Sequence, residues 1–276
     1  MLGVKRIPLS AQIGLFVTGL FVLVAIFAPL VAPYSPTEIV GDVWEPASPA
    51  HWFGTDNLGR DLLSRMIYGA RITILIAALA TALSFTMGAV LGFTAAVIGG
   101  WFDQLLSRCI DLLMSIPTLI FALVVLSVLP TNILTLIVVM GILDSTRVYR
   151  LARAVAVDIN VMDFVEAAKL RGEGRMWIIF REILPNALSP LVAELGLRFI
   201  FAVLFLSALS FLGLGVQPPN ADWGGMVREN KEGIVFGIPA ALIPAGAIAV
   251  LAISVNLVAD WILNRTTDLK GGRGNG

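Results

Sequence analysis

One cysteine, Cys109, and one histidine, His51, are all that the 276 residues contain. A lone cysteine excludes an intrachain disulfide, and without a cluster of cysteines and histidines no structural zinc site of the usual kind can form. Charge is scarce too: Asp, Glu, Lys and Arg make up 14% of the chain, against about 25% in an ordinary soluble domain. The 19 basic and 19 acidic residues cancel, so no excess of either sign points to nucleic acid. Gly-x-x-x-x-Gly-Lys-Ser/Thr is absent, which excludes an ATP site built on that phosphate loop. An intramembrane hydrolase fails as well, since His51 falls outside the apolar segments and no nucleophile and base can be assembled within them.

What is abundant is apolar: 58% of residues are hydrophobic and the mean hydropathy is +0.90. Such a chain belongs in a bilayer. A spanning helix needs about 20 mostly apolar residues, and six segments approach that: 11–33, 72–98, 107–129, 131–149, 188–212 and 237–263. Lys5 and Arg6 before the first resemble the start of a secretory signal, yet this run outlasts a signal core of about 7–15 residues and lacks a clean small-residue cleavage site. It reads as a retained membrane helix. The fourth segment is short, with Asp144 and Arg147 near its end, so it must tilt, thin the bilayer or place those charges at the headgroups.

Six spans put both termini on one side. Thirteen Lys and Arg fall on that side and five on the other, with Arg198 inside the membrane, which predicts cytoplasmic termini and a cytoplasmic segment 150–187. Segments 34–71 and 213–236 are then external. Pro33, Pro36, Pro46 and Pro49 break the first of these, so residues 1–71 read as an appended helix and loop, 72–263 as the core, and 264–276 as a cytoplasmic tail whose glycine-rich end, Gly271 to Gly276, is disordered.

Polar residues are few enough to consider singly. Within 157–170, Val157, Val161, Phe164, Val165 and Ala168 recur at helical spacing among Asp158, Asp163, Glu166 and Lys169. This predicts a short amphipathic helix, broken by Gly172 and Gly174 and followed by an apolar piece, Met176 to Ile183, that Pro185 ends. Periodicity alone fits a helix lying on lipid headgroups. Glu194 and Arg198 share a face of the fifth span, as Asn256 and Asp260 do on the sixth; a structural ion pair is the favoured reading of the former, because charges in a bilayer are costly and usually paired. Gly88 and Gly92 form a Gly-x-x-x-Gly, a weak signal of close helix packing. Gly54, Asp56, Gly59, Arg60, Asp61 and Arg65 read as a compact turn closed by exposed ion pairs, capping the second span rather than touching solute.

Three strings carry a resemblance. Glu166-Ala167-Ala168, then Gly172, then Leu184-Pro185, placed between two spans, resembles the EAA loop of permease subunits in ATP-binding-cassette (ABC) importers. One departure stands out: Glu182 occupies the place of an isoleucine two residues before the leucine, with Ile183 one place later. The string His51 to Arg65 with Gly69-Ala70-Arg71, and Leu209 to Pro219 continuing to Asp222-Trp223-Gly224, resemble the C-type permeases of the dipeptide, oligopeptide and nickel branch. Together the strings cover about 46–263.

The resemblance implies an all-α membrane protein with the six-span, MetI-like transmembrane domain of type I importers. It assigns ATPase coupling to Asp163, Phe164, Glu166, Ala167, Ala168, Gly172, Leu184 and Pro185, the two alanines allowing close approach and the acids offering charged hydrogen bonds. It implies a homologous permease partner, two cytoplasmic ATPase subunits that hold ATP and magnesium, an external solute-binding protein and a place in the bacterial inner membrane. The segment Gly213 to Pro219 would line a gate or receive the binding protein. Di- or oligopeptides lead as solute, with nickel, opines, sugars or other small solutes open. The alternative is an ion-coupled carrier working through Asp144, Glu194 and Asp260, for which no internal inverted repeat is evident.

Overall fold

The computed structural model describes residues 7–130 and 132–271, with side chains to Asn264. Its helices are α1 (Leu9–Ile26), α2 (Ala28–Val31), α3 (Leu62–Ile98), α4 (Gly100–Ser115), α5 (Thr118–Val128), α6 (Ile133–Asn160), α7 (Asp163–Leu170), α8 (Arg175–Trp177), α9 (Leu184–Phe211), α10 (Trp223–Asn230) and α11 (Leu242–Gly271). A π-helical stretch, Ile178–Ile183, joins α8 to α9, and 3-10 turns lead from α10 into α11. Strand pairing among the described residues is limited to two isolated bridges, Ile39 with Arg60 and Thr55 with Asp61.

Helix α1 packs against the core. Gly14 brings its backbone against α11 so closely that a side-chain carbon there would lie 2.6 Å from the Ser254 carbonyl oxygen, and the Phe21 ring meets Trp223 edge-on at 5.4 Å. Helix α3 begins ten residues before the expected 72, because Asp61 caps it by accepting the Ser64 amide at 2.8 Å.

The contact of α3 with α6 runs along the Gly-x-x-x-Gly. A side-chain carbon on Gly88 would lie 2.6 Å from Val148 Cβ and 2.7 Å from the Ser145 oxygen, and one on Gly92 would lie 2.8 Å from the Tyr149 oxygen. The two backbones therefore touch, as small residues permit in membrane helices.

Four helical runs, Leu9–Ile26, Leu62–Ile98, Arg175–Phe211 and Pro239–Asn264, are long and apolar enough to cross a bilayer, and α4 with α5 makes a fifth at most. The expected six are not reached by this measure. Segment 107–129 is not one rod: α4 and α5 meet at 86°, because Pro117 drives Ile116 into extended backbone at ψ 129. Helix α6 is 28 residues long rather than ending at 149, and carries Asp144, Arg147, Arg150, Arg153 and Asp158.

Nor does Pro185 end a helix. The chain runs from Arg175 to Phe211 without a break, and the wider π turn before Pro185 absorbs the ring that would otherwise strike the carbonyl one turn back. Asn186 Nδ2 donates to the Glu182 oxygen at 2.7 Å, satisfying one carbonyl freed there. At the other end, α11 continues to Gly271, past the expected start of the tail at 264; Gly272 to Gly276, like Lys5, Arg6 and Thr131, lie outside the described residues.

Candidate functional site

Within 157–170, where one helix was expected, the chain is divided between two. Residues Val157 to Asn160 belong to the end of α6, and a turn at Val161–Met162 precedes α7. Helix α7 has Asp163 and Glu166 in its first turn, the end where backbone amides favour negative charge. Gly172 closes it at φ +81, a left-handed conformation. The Gly172 amide donates to Lys169 at 3.0 Å and the Glu173 amide to Ala168 at 3.2 Å, the paired bonds of a Schellman cap.

One face of α7 is anchored. Val165 is fully buried in a cluster with Ile159 of α6 and Ile178 and Ile183 of the π stretch, and Ala168 is fully buried as well. Ala168, one of the residues the resemblance assigns to ATPase coupling, has no exposed surface within this chain. Asp163, Phe164, Glu166 and Ala167 are exposed, and so are the flanking Val161, Met162 and Leu170. Leu184 is half-buried against the same cluster and Pro185 is exposed. An anchored helix that shows apolar and acidic side chains outward has the form of a docking surface.

Midway along the spans the charged residues meet. Arg198 Nε donates to Glu194 Oε1 at 2.7 Å within α9, and Arg198 Nη1 reaches Asp144 Oδ1 on α6 at 3.4 Å. Ser84 of α3 donates to Asp144 Oδ2 at 3.2 Å. Arg147 Nη1 lies 3.9 Å from Asp144, its guanidinium stacks 4.3 Å from the Phe201 ring centroid, and Nη2 donates to Thr118 of α5 at 3.4 Å. Two arginines and two carboxylates thus balance one another, and bind α3, α5, α6 and α9 together. The i,i+4 rule exposes Glu194 with Arg198; nothing local links Asp144 to a residue 54 positions away. Asn256 donates to Asp260 at 3.3 Å as a separate pair on α11.

A second network, beyond the spans, ties the proline-rich loop to α10. Asp56 accepts Arg60 Nε at 2.7 Å and also pairs with Arg65, while Glu229 of α10 accepts Arg65 Nη1 at 2.6 Å and Arg60 Nη2 at 2.9 Å. Asp61 accepts Ser64 Oγ at 2.7 Å and faces His51 Nδ1 at 3.1 Å. Gly54 and Gly59 both take φ +75, and a side-chain carbon at Gly59 would meet the Gly41 oxygen at 2.2 Å. These pairs were expected to be exposed. They are buried: Asp56, Arg60, Asp61 and Arg65 are all shielded by the loop and α10, so losing one partner strands a charge. Glu229 and Asn230, which accepts Trp44 Nε1 at 3.2 Å, were not legible from sequence.

Asp222 caps α10 by accepting the Gly224 amide at 3.1 Å. Burial pushes its carboxyl up to about 6, partly offset by the Ser210 hydroxyl and the Gly225 and Gly224 amides, with nearby Glu229 adding to the rise.

Comparison with known proteins decides what these features belong to. A family model described as a binding-protein-dependent transport system inner membrane component matches residues 88–268, and one for the N-terminal transmembrane domain of oligopeptide transport permease C matches residues 10–48. The chain belongs to this permease family. It is similar to the dipeptide transport system permease protein DppC of Alkalihalophilus pseudofirmus, at 33% identity over 91% of this chain and 83% of the relative. It is also similar to a putative peptide transport system permease protein of Brucella suis, at 36% identity over 92% and 86%. The Haemophilus influenzae dipeptide transport system permease protein DppC is 34% identical over 92% and 88%. This permease is thus a multi-pass inner-membrane subunit of an ABC importer, acting in a complex whose ATPase is a separate subunit. The ion-coupled carrier is not favoured.

Proposed function

We propose that this permease forms half of a translocation pathway for di- or oligopeptides, with a homologous permease as the other half. Of two ATPase subunits that bind ATP and magnesium, one docks on the exposed face of α7, and an external solute-binding protein delivers the peptide. Relatives named for dipeptide and peptide transport support the solute class. The excess of Lys and Arg supports cytoplasmic termini and a cytoplasmic α7 in a six-span arrangement, with α4 and α5 a broken third span and the charged α6 a fourth.

The observation that carries the coupling assignment is the two-faced α7. Val165 fastens it to the π stretch, which continues directly into α9. Arg198 ties α9 to α6, and the glycine contact ties α6 to α3. Movement of a docked ATPase is then passed to three spans as a unit, the rigid-body rocking that alternating access requires.

Copurification of the assembled transporter tests this. Phe164→Asp and Glu166→Arg alter only the outward face, so each variant should insert and accumulate normally yet lose its ATPase subunits. Full ATPase stoichiometry and peptide-stimulated hydrolysis in both would remove α7 from the coupling path.

A further inference from the structure

Between α3 and the π-helical stretch runs an open groove of about 160 Å³. Ala89, Val90 and Phe93 form one wall, and Met176, Phe180 and Leu184 the other. Two threonines also line it, yet neither presents its hydroxyl as an unbonded donor: Thr86 Oγ1 donates to the Ala82 oxygen at 2.8 Å and Thr94 Oγ1 to the Val90 oxygen at 2.6 Å. The groove is therefore apolar along its length, and it lies between two helical runs long and apolar enough to cross a bilayer. Met176 is 70% exposed and Phe180 56%, so its outer lip is uncovered apolar surface.

The rim is basic. Arg175 directly precedes Met176 and Arg181 directly follows Phe180; both are exposed, and among the described residues neither has a carboxylate within ion-pairing distance. The nearby acids are engaged elsewhere, Glu173 and Glu182 lying 3.8 Å and 3.9 Å from Arg171. Arg181 stacks over the Trp177 ring at 5.1 Å, and tryptophan with arginine marks the depth of lipid headgroups. An apolar slot whose wall residues Met176 and Phe180 each adjoin an exposed arginine without an ion-pair partner among the described residues is complementary to a chain with an anionic head.

We propose that this groove binds one acyl chain of an anionic phospholipid, whose phosphate sits on Arg175 and Arg181. The lipid would wedge α3 against the π stretch, the element that links α7 to α9. The site is independent of which solute is carried and of whether α7 docks an ATPase.

The test uses the assembled transporter in nanodiscs of mixed phosphatidylglycerol and phosphatidylcholine, with bound lipid read by native mass spectrometry. Wild type should retain phosphatidylglycerol in roughly 30-fold preference, the product of two headgroup contacts. Arg175→Gln with Arg181→Gln should abolish that preference, and the double lysine variant should keep most of it, which a folding defect would not allow. Ala89→Phe should displace the lipid while leaving the arginines in place. Equal retention in wild type and the glutamine variant overturns the proposal. So does efficient disulfide cross-linking of Val90→Cys, in a Cys109→Ser background, to a partner subunit, because a protein would then cover the groove.

Discussion

Arg198 bridges two carboxylates on different helices, holding Glu194 of α9 at 2.7 Å and Asp144 of α6 at 3.4 Å. Local spacing points only to the first of these bonds. The second makes α6 and α9 one electrostatic unit inside the membrane.

That relationship changes what an ion-pair swap should do. Arg198→Met leaves two carboxylates short of a partner and should lower stability by about 3–5 kcal/mol. Replacing Glu194 and Arg198 together with apolar residues should recover only part, since Asp144 is left with Arg147 at 3.9 Å. Adding Asp144→Asn should recover more. Membrane accumulation and thermal unfolding of the three variants are the readouts; full recovery in the double variant would show that Asp144 does not depend on Arg198.

Gly88→Leu should separate α3 from α6. Even its first side-chain carbon falls 2.6 Å from Val148 Cβ and 2.7 Å from a backbone oxygen, and backbone cannot rotate aside. Overpacking of this kind costs about 1–3 kcal/mol, occasionally more. A Gly88→Ala variant that unfolds at the wild-type temperature would mean the helices part easily.

Neighbouring alanines of α7 should behave oppositely. Ala168→Trp places an indole at a fully buried position and should reduce accumulation of the subunit itself. Ala167→Trp points outward and should leave accumulation intact while weakening ATPase retention. Gly172→Val forces a β-branched residue into φ +81, at roughly 1–2 kcal/mol or more, and should fray the end of α7. Copurification yields normalised to permease content separate these outcomes, and equal effects of both alanine variants would sink the two-faced reading.

Asp222 should give a pH dependence. Its folded-state carboxyl is raised to about 6, above the unfolded value near 3.9, so the folded chain binds the proton more tightly. The contribution to stability is full below about 4 and is lost as pH rises through about 6, at up to about 1.4 kcal/mol per unit. Asp222→Asn keeps a capping side chain and should flatten that slope. Thermal unfolding from pH 4 to 7 compares the two, and parallel curves would place the titration elsewhere.

Much of the organisation was legible because it is local. Long apolar runs, the four-residue spacing of Glu194 and Arg198 and the glycine spacing at positions 88 and 92 all act through the nearest turn of chain. Where reading failed, a second element intervened. Segment 107–129 has the composition of one span, but Pro117 turns it through 86°. Pro185 has the look of a stop, yet a π turn lets the helix pass. Ala168 lies on the buried face of α7, which spacing alone does not tell from the outward one.

Sequence by itself determined that this chain lives in a bilayer, that it carries no phosphate loop of its own, and that a short amphipathic helix holds Glu166, Ala167 and Ala168, because hydropathy, spacing and turn chemistry are properties of adjacent residues. Tertiary structure alone decided that Asp144 shares Arg198, that Glu229 closes on Arg60 and Arg65 across more than 160 positions, and which face of α7 is free. Those partners meet because costly charges are neutralised wherever packed helices bring them together, and helix packing is set by shape along whole surfaces, which no short stretch of sequence encodes.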